Sequence, residues 1–202
     1  MILAFDTSSA ACTVALFDGD GTCLAHRDEL IGRGHSERLV PMIAELLEGG
    51  RADHILVGVG PGSFTGIRVA IAAAHGLAIG WEAKLLGMSS LALLAASVAE
   101  EGEVAAAIIG GHGELFVQQF DRFLEAPSEL RNLAPLEAAR FATAPLVVGS
   151  GAAQLVEARG SGEAREAWPR ASEALRLPEQ FRTLPPKPVY ARAPDARVRE
   201  AA

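Results

Sequence analysis

Gly60-Pro61-Gly62-Ser63-Phe64-Thr65-Gly66-Ile67-Arg68 joins a strand-like run, His54-Ile55-Leu56-Val57-Gly58-Val59, to a helix-like run from Ile67 to Ile79. A glycine-rich turn between strand and helix leaves backbone N–H groups free at a helix N-terminus, where anions bind. No Gly-Lys-Ser/Thr closes the loop, so it is not a P-loop, and its glycine spacing is not that of a dinucleotide fingerprint. A second reading is a tight turn that lets a helix pack closely on a sheet, and on the loop alone this is the commoner case.

Working outward, Ile2 to Asp6, Cys12 to Phe17 and Thr22 to His26 read as three meander strands, the last two flanking Asp18-Gly19-Asp20-Gly21. Ser36 can cap a helix running to about Glu48, with Leu39, Ile43, Leu46 and Leu47 as its apolar stripe. Pro41 fits only near that helix's first turn, and Gly49-Gly50 stops it. Lys84 to Met88 is a further strand, and Ser89 or Ser90 caps a third helix, Leu91 to Ala99. The order β-β-β-α-β-α-β-α over the first 100 or so residues predicts a mixed sheet with helices on its faces.

Glu100-Glu101-Gly102-Glu103 reads as a lobe boundary, dividing 1–100 from a smaller lobe, 101–202. Beyond it, Val104–Ile109 and Leu115–Phe120 pair around Gly110-Gly111-His112-Gly113, and Leu146–Gly149 is a strand. Helices are expected at Ala152–Ala158 and Ala164–Leu175. The tail from Leu184 reads as extended and poorly packed except at Tyr190.

Composition bounds the function. Half of the 202 residues are hydrophobic, enough for a sizeable core. The net charge of −7 argues against this chain gripping nucleic acid alone. Cys12 and Cys23 fall out of register across one hairpin and have no zinc spacing. There is no signal-peptide pattern and no charge-free apolar run of about 18 residues, so the expected location is the cytoplasm.

Few residues offer chemistry. Asp6, with Thr7 and Ser8, could face a nucleotide–metal complex or cap a local turn. His35-Ser36-Glu37 cannot act as nucleophile and base, because adjacent residues at a helix start do not face each other. His26, His35, His54, His75 and His112 show no metal-binding spacing. On the second helix, Ala72, Gly76 and Gly80 recur every four residues. Such a stripe suits close packing against the sheet or against another helix, within the chain or across a subunit interface.

Together, Ile2-Leu3-Ala4-Phe5-Asp6-Thr7-Ser8, His35-Ser36-Glu37-Arg38-Leu39, Pro41-Met42-Ile43, the Gly58–Arg68 stretch, Gly87-Met88-Ser89-Ser90-Leu91 and Pro188-Val189-Tyr190-Ala191-Arg192 resemble the TsaB (YeaZ) family. The resemblance is dense to about residue 95 and thin afterwards. It implies an α/β, two-lobed actin-like, sugar-kinase and chaperone-ATPase (ASKHA) fold with a reduced second lobe. It implies a non-catalytic partner of the paralogous TsaD in forming threonylcarbamoyladenosine in tRNAs that read codons beginning with A. TsaE, an ATPase, joins the assembly, and tRNA is contacted indirectly.

The same resemblance implies that the first two helices form the contact with TsaD, or with a second copy when TsaD is absent. That carries onto His35, Glu37, Arg38, Arg68, Ile71, Ala72, His75, Gly76 and Ile79. Asp6, Thr7, Ser8, Gly60, Gly62, Ser63, Thr65 and Gly66 become remnants of a nucleotide cleft, with no catalytic residue and no metal. No cofactor is required, and any ATP or ADP binding at the complex would be weak. The rival expectation is a small ATP-hydrolysing enzyme of this fold using Asp6 and the glycine loops; a peptidase ranks last. In one departure, Ile109-Gly110-Gly111 stand where the family usually has Asp-Ala-Arg, so neither ligand nor TsaE contact is expected through those groups.

Overall fold

The computed structural model describes residues 1–98 and 102–190. Strands β1 (Ile2–Asp6), β2 (Ala11–Phe17) and β3 (Cys23–Leu30) form the meander. Helix α1 (His35–Leu47), β4 (His54–Gly58), α2 (Phe64–Trp81), β5 (Lys84–Met88) and α3 (Ser90–Ala96) follow. The sheet order is β3-β2-β1-β4-β5, with β1 antiparallel to β2 and parallel to β4.

The second sheet repeats this plan. It is built from β6 (Val104–Ile109), β7 (Leu115–Phe120), β8 (Arg131–Leu133), α4 (Pro135–Phe141), β9 (Leu146–Val148), α5 (Ala152–Arg159) and β10 (Glu163–Arg165). Its order, read from the other edge, is β8-β7-β6-β9-β10, again two antiparallel pairings and then two parallel ones. This is the ASKHA arrangement expected from the sequence, with a reduced second half. The 13 residues of α1 shrink to 7 in α4, and the 18 of α2 to 8 in α5.

Alternation along the strands explains the layers. Leu3 and Phe5 point from β1 toward α1 and α2, where Leu39, Met42, Ile43, Ile67 and Ala70 complete one core. Ala4 points the other way, into the largest core, which α3 fills between the two sheets together with Ala106, Phe120 and Val148. Helix α3 is buried on all sides, which fits its wholly apolar run Leu91 to Ala96.

Several expectations need correction. Ser36 does not cap α1; the N-cap is Gly34 in the left-handed region (φ 87°), and the Ser36 hydroxyl donates to Glu37 instead. Pro41 lies beyond the first turn, as the seventh helical residue. Ser89, not Ser90, caps α3, accepting the Ala92 N–H at 3.2 Å. The helix expected over Ala164–Leu175 is instead the edge strand β10, a connection, and a 3-10 turn at Ala171–Arg176. The tail is anchored before Tyr190: Leu184 and Gly87 exchange backbone bonds, and Val189 N–H donates to Val59. A short helix, α6 (Glu179–Arg182), precedes it. Ala99, the centre of the proposed boundary at Glu100-Glu101, and Ala191-Arg192 lie outside the described residues.

Candidate functional site

Asp6 ends β1 with no solvent exposure. Its Oδ1 accepts the Ser8 backbone N–H at 2.6 Å and the Ser8 hydroxyl at 2.7 Å, and its Oδ2 accepts the Ser90 hydroxyl at 2.5 Å. Ser90 in turn accepts the Gly60 N–H at 3.1 Å. The local turn foreseen for Asp6 is therefore present, but it is one half of a network that also ties β1 to α3 and to the glycine loop. Burial raises the Asp6 pKa above the ordinary carboxylate range, and the serine hydrogen bonds hold the rise back.

The glycines of the loop permit this closure. A Cβ on Gly62 would lie 2.2 Å from the Ser8 carbonyl oxygen, and one on Gly66 would lie 1.9 Å from that of Thr7. Ser63 N–H donates to the Ser8 carbonyl at 2.6 Å, while the Thr7 hydroxyl donates to the Gly66 carbonyl at 2.7 Å. Ser63 also caps α2, accepting the Gly66 N–H at 3.2 Å. Thr7 and Ser8 thus occupy the ground on the loop that an anion would take, leaving Thr65 exposed on the first turn of α2. The arrangement does not fit the metal-bound nucleotide that the fold class implies. Asp6 has both oxygens engaged and is absent from the walls of the neighbouring cleft.

That cleft lies between the glycine loop and the β6–β7 hairpin and encloses about 1400 Å³. Ser8, Gly62 and Ser63 reach its wall; Asp6, Thr7, Gly60, Thr65 and Gly66 do not. At the rim, the Arg68 guanidinium lies 3.7 Å from the centre of the Phe64 ring and donates to the Tyr190 hydroxyl at 3.1 Å. At the hairpin tip, Gly110 N–H donates to the Glu114 carbonyl and Glu114 accepts from Asn132 at 2.5 Å.

The residues assigned to a partner surface divide. Arg68, Ala72, His75, Gly76 and Ile79 form an exposed stripe on α2, with Ile79 80% exposed. A Cβ on Gly76 or Gly80 would meet nothing within 4 Å among the described residues, so neither glycine serves packing against them. Ile71 faces the core instead. On α1, Glu37 is exposed, and Arg38 forks onto Glu29 and Glu45, fastening α1 to β3 and lowering the pKa of Glu29 through its hydrogen bond. His35 is buried, and its Nε2 has no hydrogen-bond partner among the described residues.

Sequence reading missed Ser90, Gly58 and Trp168. Ser90 lies 84 positions from Asp6, beyond any local pattern. Gly58 leaves room for the Asp6 carboxylate, whose Oδ2 would lie 1.9 Å from a Cβ there. Nothing at Trp168 marks it in sequence as a cleft residue.

A family model described as TsaD, tRNA N6-adenosine threonylcarbamoyltransferase, matches residues 28–161. A protein of Escherichia coli K12 described as tRNA threonylcarbamoyladenosine biosynthesis protein TsaB is 39% identical over 129 residues, covering 60% of this chain and 55% of that one. Its counterpart in Haemophilus influenzae is 38% identical over 130 residues, covering 60% and 54%. The chain thus spans about half the length of the curated relatives it matches. A solved structure from Pseudomonas aeruginosa, described as an uncharacterized protein with similarity to peptidase YEAZ, superposes with a TM-score of 0.78. It shares 32% identity, over 95% of this chain and 99% of that one. YeaZ from the same species gives 0.77 at 29% identity, over 94% and 98%. Sequence kinship across the glycine loop and a superposition spanning nearly both chains agree: this chain belongs to the TsaB (YeaZ) family.

Proposed function

We propose that this protein is a non-catalytic partner subunit in the formation of threonylcarbamoyladenosine in tRNAs that read codons beginning with A, acting through a heterodimer with TsaD. The exposed small-residue stripe of α2 carries the reading. Glycine inside a helix costs up to about 1 kcal/mol relative to alanine, and Gly76 and Gly80 have no neighbour among the described residues to justify that cost. A second helix bundle laid against α2 would use them, because small residues let two helices approach closely. The engagement of both Asp6 oxygens by Ser8 and Ser90 is consistent with a role without turnover.

On this reading TsaE joins at the complex, tRNA is held mainly by the partner, and a homodimer uses the same face when TsaD is absent. The division of labour between an N-terminal lobe bearing the interface, 1–100, and a C-terminal lobe, 101–202, belongs to the same proposal. So does a cytoplasmic setting. The α2 helix is long and apolar enough to cross a membrane by length and composition, but one of its faces is the wall of a core. Reconstitution tests the proposal: TsaD, TsaE, threonylcarbamoyl-adenylate and unmodified tRNA, with and without this chain. The expected result is modified nucleoside only when the chain is present. Equal modification without it would refute the role.

A further inference from the structure

The cleft differs from the rest of the molecule in its chemistry. The chain carries a net charge of −7, yet among the described residues no aspartate or glutamate lines the cleft. Four aromatic rings do: Phe64, Phe116, Trp168 and Tyr190. Arg68 stands at the mouth with its guanidinium against Phe64 and the Tyr190 hydroxyl, and it has no carboxylate partner among the described residues. The hydroxyls of Ser9, Ser63 and Ser150 each accept a backbone N–H and retain a proton to donate.

Donors, aromatic faces and one guanidinium without an opposing carboxylate suit a ligand of planar rings joined by anionic acceptors. Single-stranded RNA has that composition: bases stack on aromatic side chains and arginine planes, and phosphates take the cation. Size separates a strand from a free nucleotide. Pockets for small ligands run to about 1,000 Å³, and this cleft holds about 1400 Å³. Among the described residues no carboxylate on the wall offers a metal ion an anionic ligand.

We propose that the cleft between the glycine loop and the β6–β7 hairpin binds a short single-stranded RNA segment, without a metal, through aromatic stacking and Arg68. The proposal goes beyond the partner-subunit reading. The net charge of −7 opposes an electrostatic grip on nucleic acid, so the binding rests on stacking and a single phosphate contact. Arg68 also lies on the face proposed for a partner, so the test uses this chain without TsaD at a concentration where light scattering shows a monomer, and either reading can then fail separately.

The chain has two tryptophans, and only Trp168 lines the cleft, so Trp81→Phe leaves the cleft indole as the sole tryptophan signal. Its fluorescence is followed as a ten-nucleotide oligoribonucleotide is added in EDTA. Saturable quenching is expected, at least tenfold tighter than for duplex RNA of the same length or for AMP. With one phosphate neutralised, the log–log salt slope should be near −0.7. Arg68→Ala should weaken binding at least fivefold, and Ile109→Glu, which sets a carboxylate on the rim, should do the same. Both positions are exposed, and thermal melts confirm folding. Absence of saturable quenching, AMP binding as well as the oligonucleotide, a requirement for magnesium, or indifference to both substitutions would each overturn the proposal.

Discussion

Gly66 and Gly76 belong to one helix and are glycine for opposite reasons. At Gly66 a methyl group would lie 1.9 Å from the Thr7 carbonyl oxygen, whereas at Gly76 it would meet nothing among the described residues. Gly66→Ala should therefore destabilise the chain by about 1–3 kcal/mol, the usual cost of overpacking. Gly76→Ala should stabilise the isolated chain by about 0.5–1 kcal/mol. Urea denaturation of both variants checks the contrast. Asp6 makes a pH prediction. Its pKa is raised in the folded chain, chiefly by burial, so the folded state binds more protons than the unfolded one between the two pKa values. The Asp6 contribution is fullest below the ordinary aspartate range and declines as pH rises toward the folded value. Asp6→Ala strands the Ser8 N–H and the Ser90 hydroxyl and should cost about 2–4 kcal/mol. The parent's advantage over that variant should narrow from acid toward neutral pH in urea titrations.

At the scale of elements, β1, β5, β6 and β7 were legible to the residue, because short apolar runs between turn residues leave little choice of boundary. Helix α2 was legible too, though it begins three residues earlier than the apolar pattern, where Ser63 supplies the cap. The segment 163–165 was not, since Glu163-Ala164-Arg165 is built of helix formers. Its strand exists because it can add in parallel to β9, and Gly160 and Gly162 at positive φ break the chain before it. Helix α4 carried its own signal in Pro135 at the first helical position, which was passed over. The exposed face of α2 yields its prediction at this scale. Gly76→Leu should leave the monomer folded, with an unchanged circular dichroism spectrum, yet weaken TsaD binding at least a hundredfold by calorimetry. An unfolded variant would return the stripe to the core.

At the scale of the molecule, the two sheets share one strand order, although no fixed-period repeat is visible in the sequence. One topology can recur without a repeat in sequence, because it requires only that inward residues alternate with outward ones along each strand. The candidate site was only half legible. Its glycines could be read from their spacing. The sealing of Asp6 could not, because it depends on Ser90 arriving from α3 and on the loop folding onto Thr7 and Ser8. The buried, hydrogen-bonded Asp6 carboxylate and the exposed α2 face are the two features on which the proposed role in assembly rests. Size-exclusion chromatography with light scattering, on this chain alone and mixed with TsaD from the same source, tests that role most directly. The account predicts a new one-to-one species, lost with Gly76→Leu. No complex in the mixture, with ATP and TsaE also present, would contradict it.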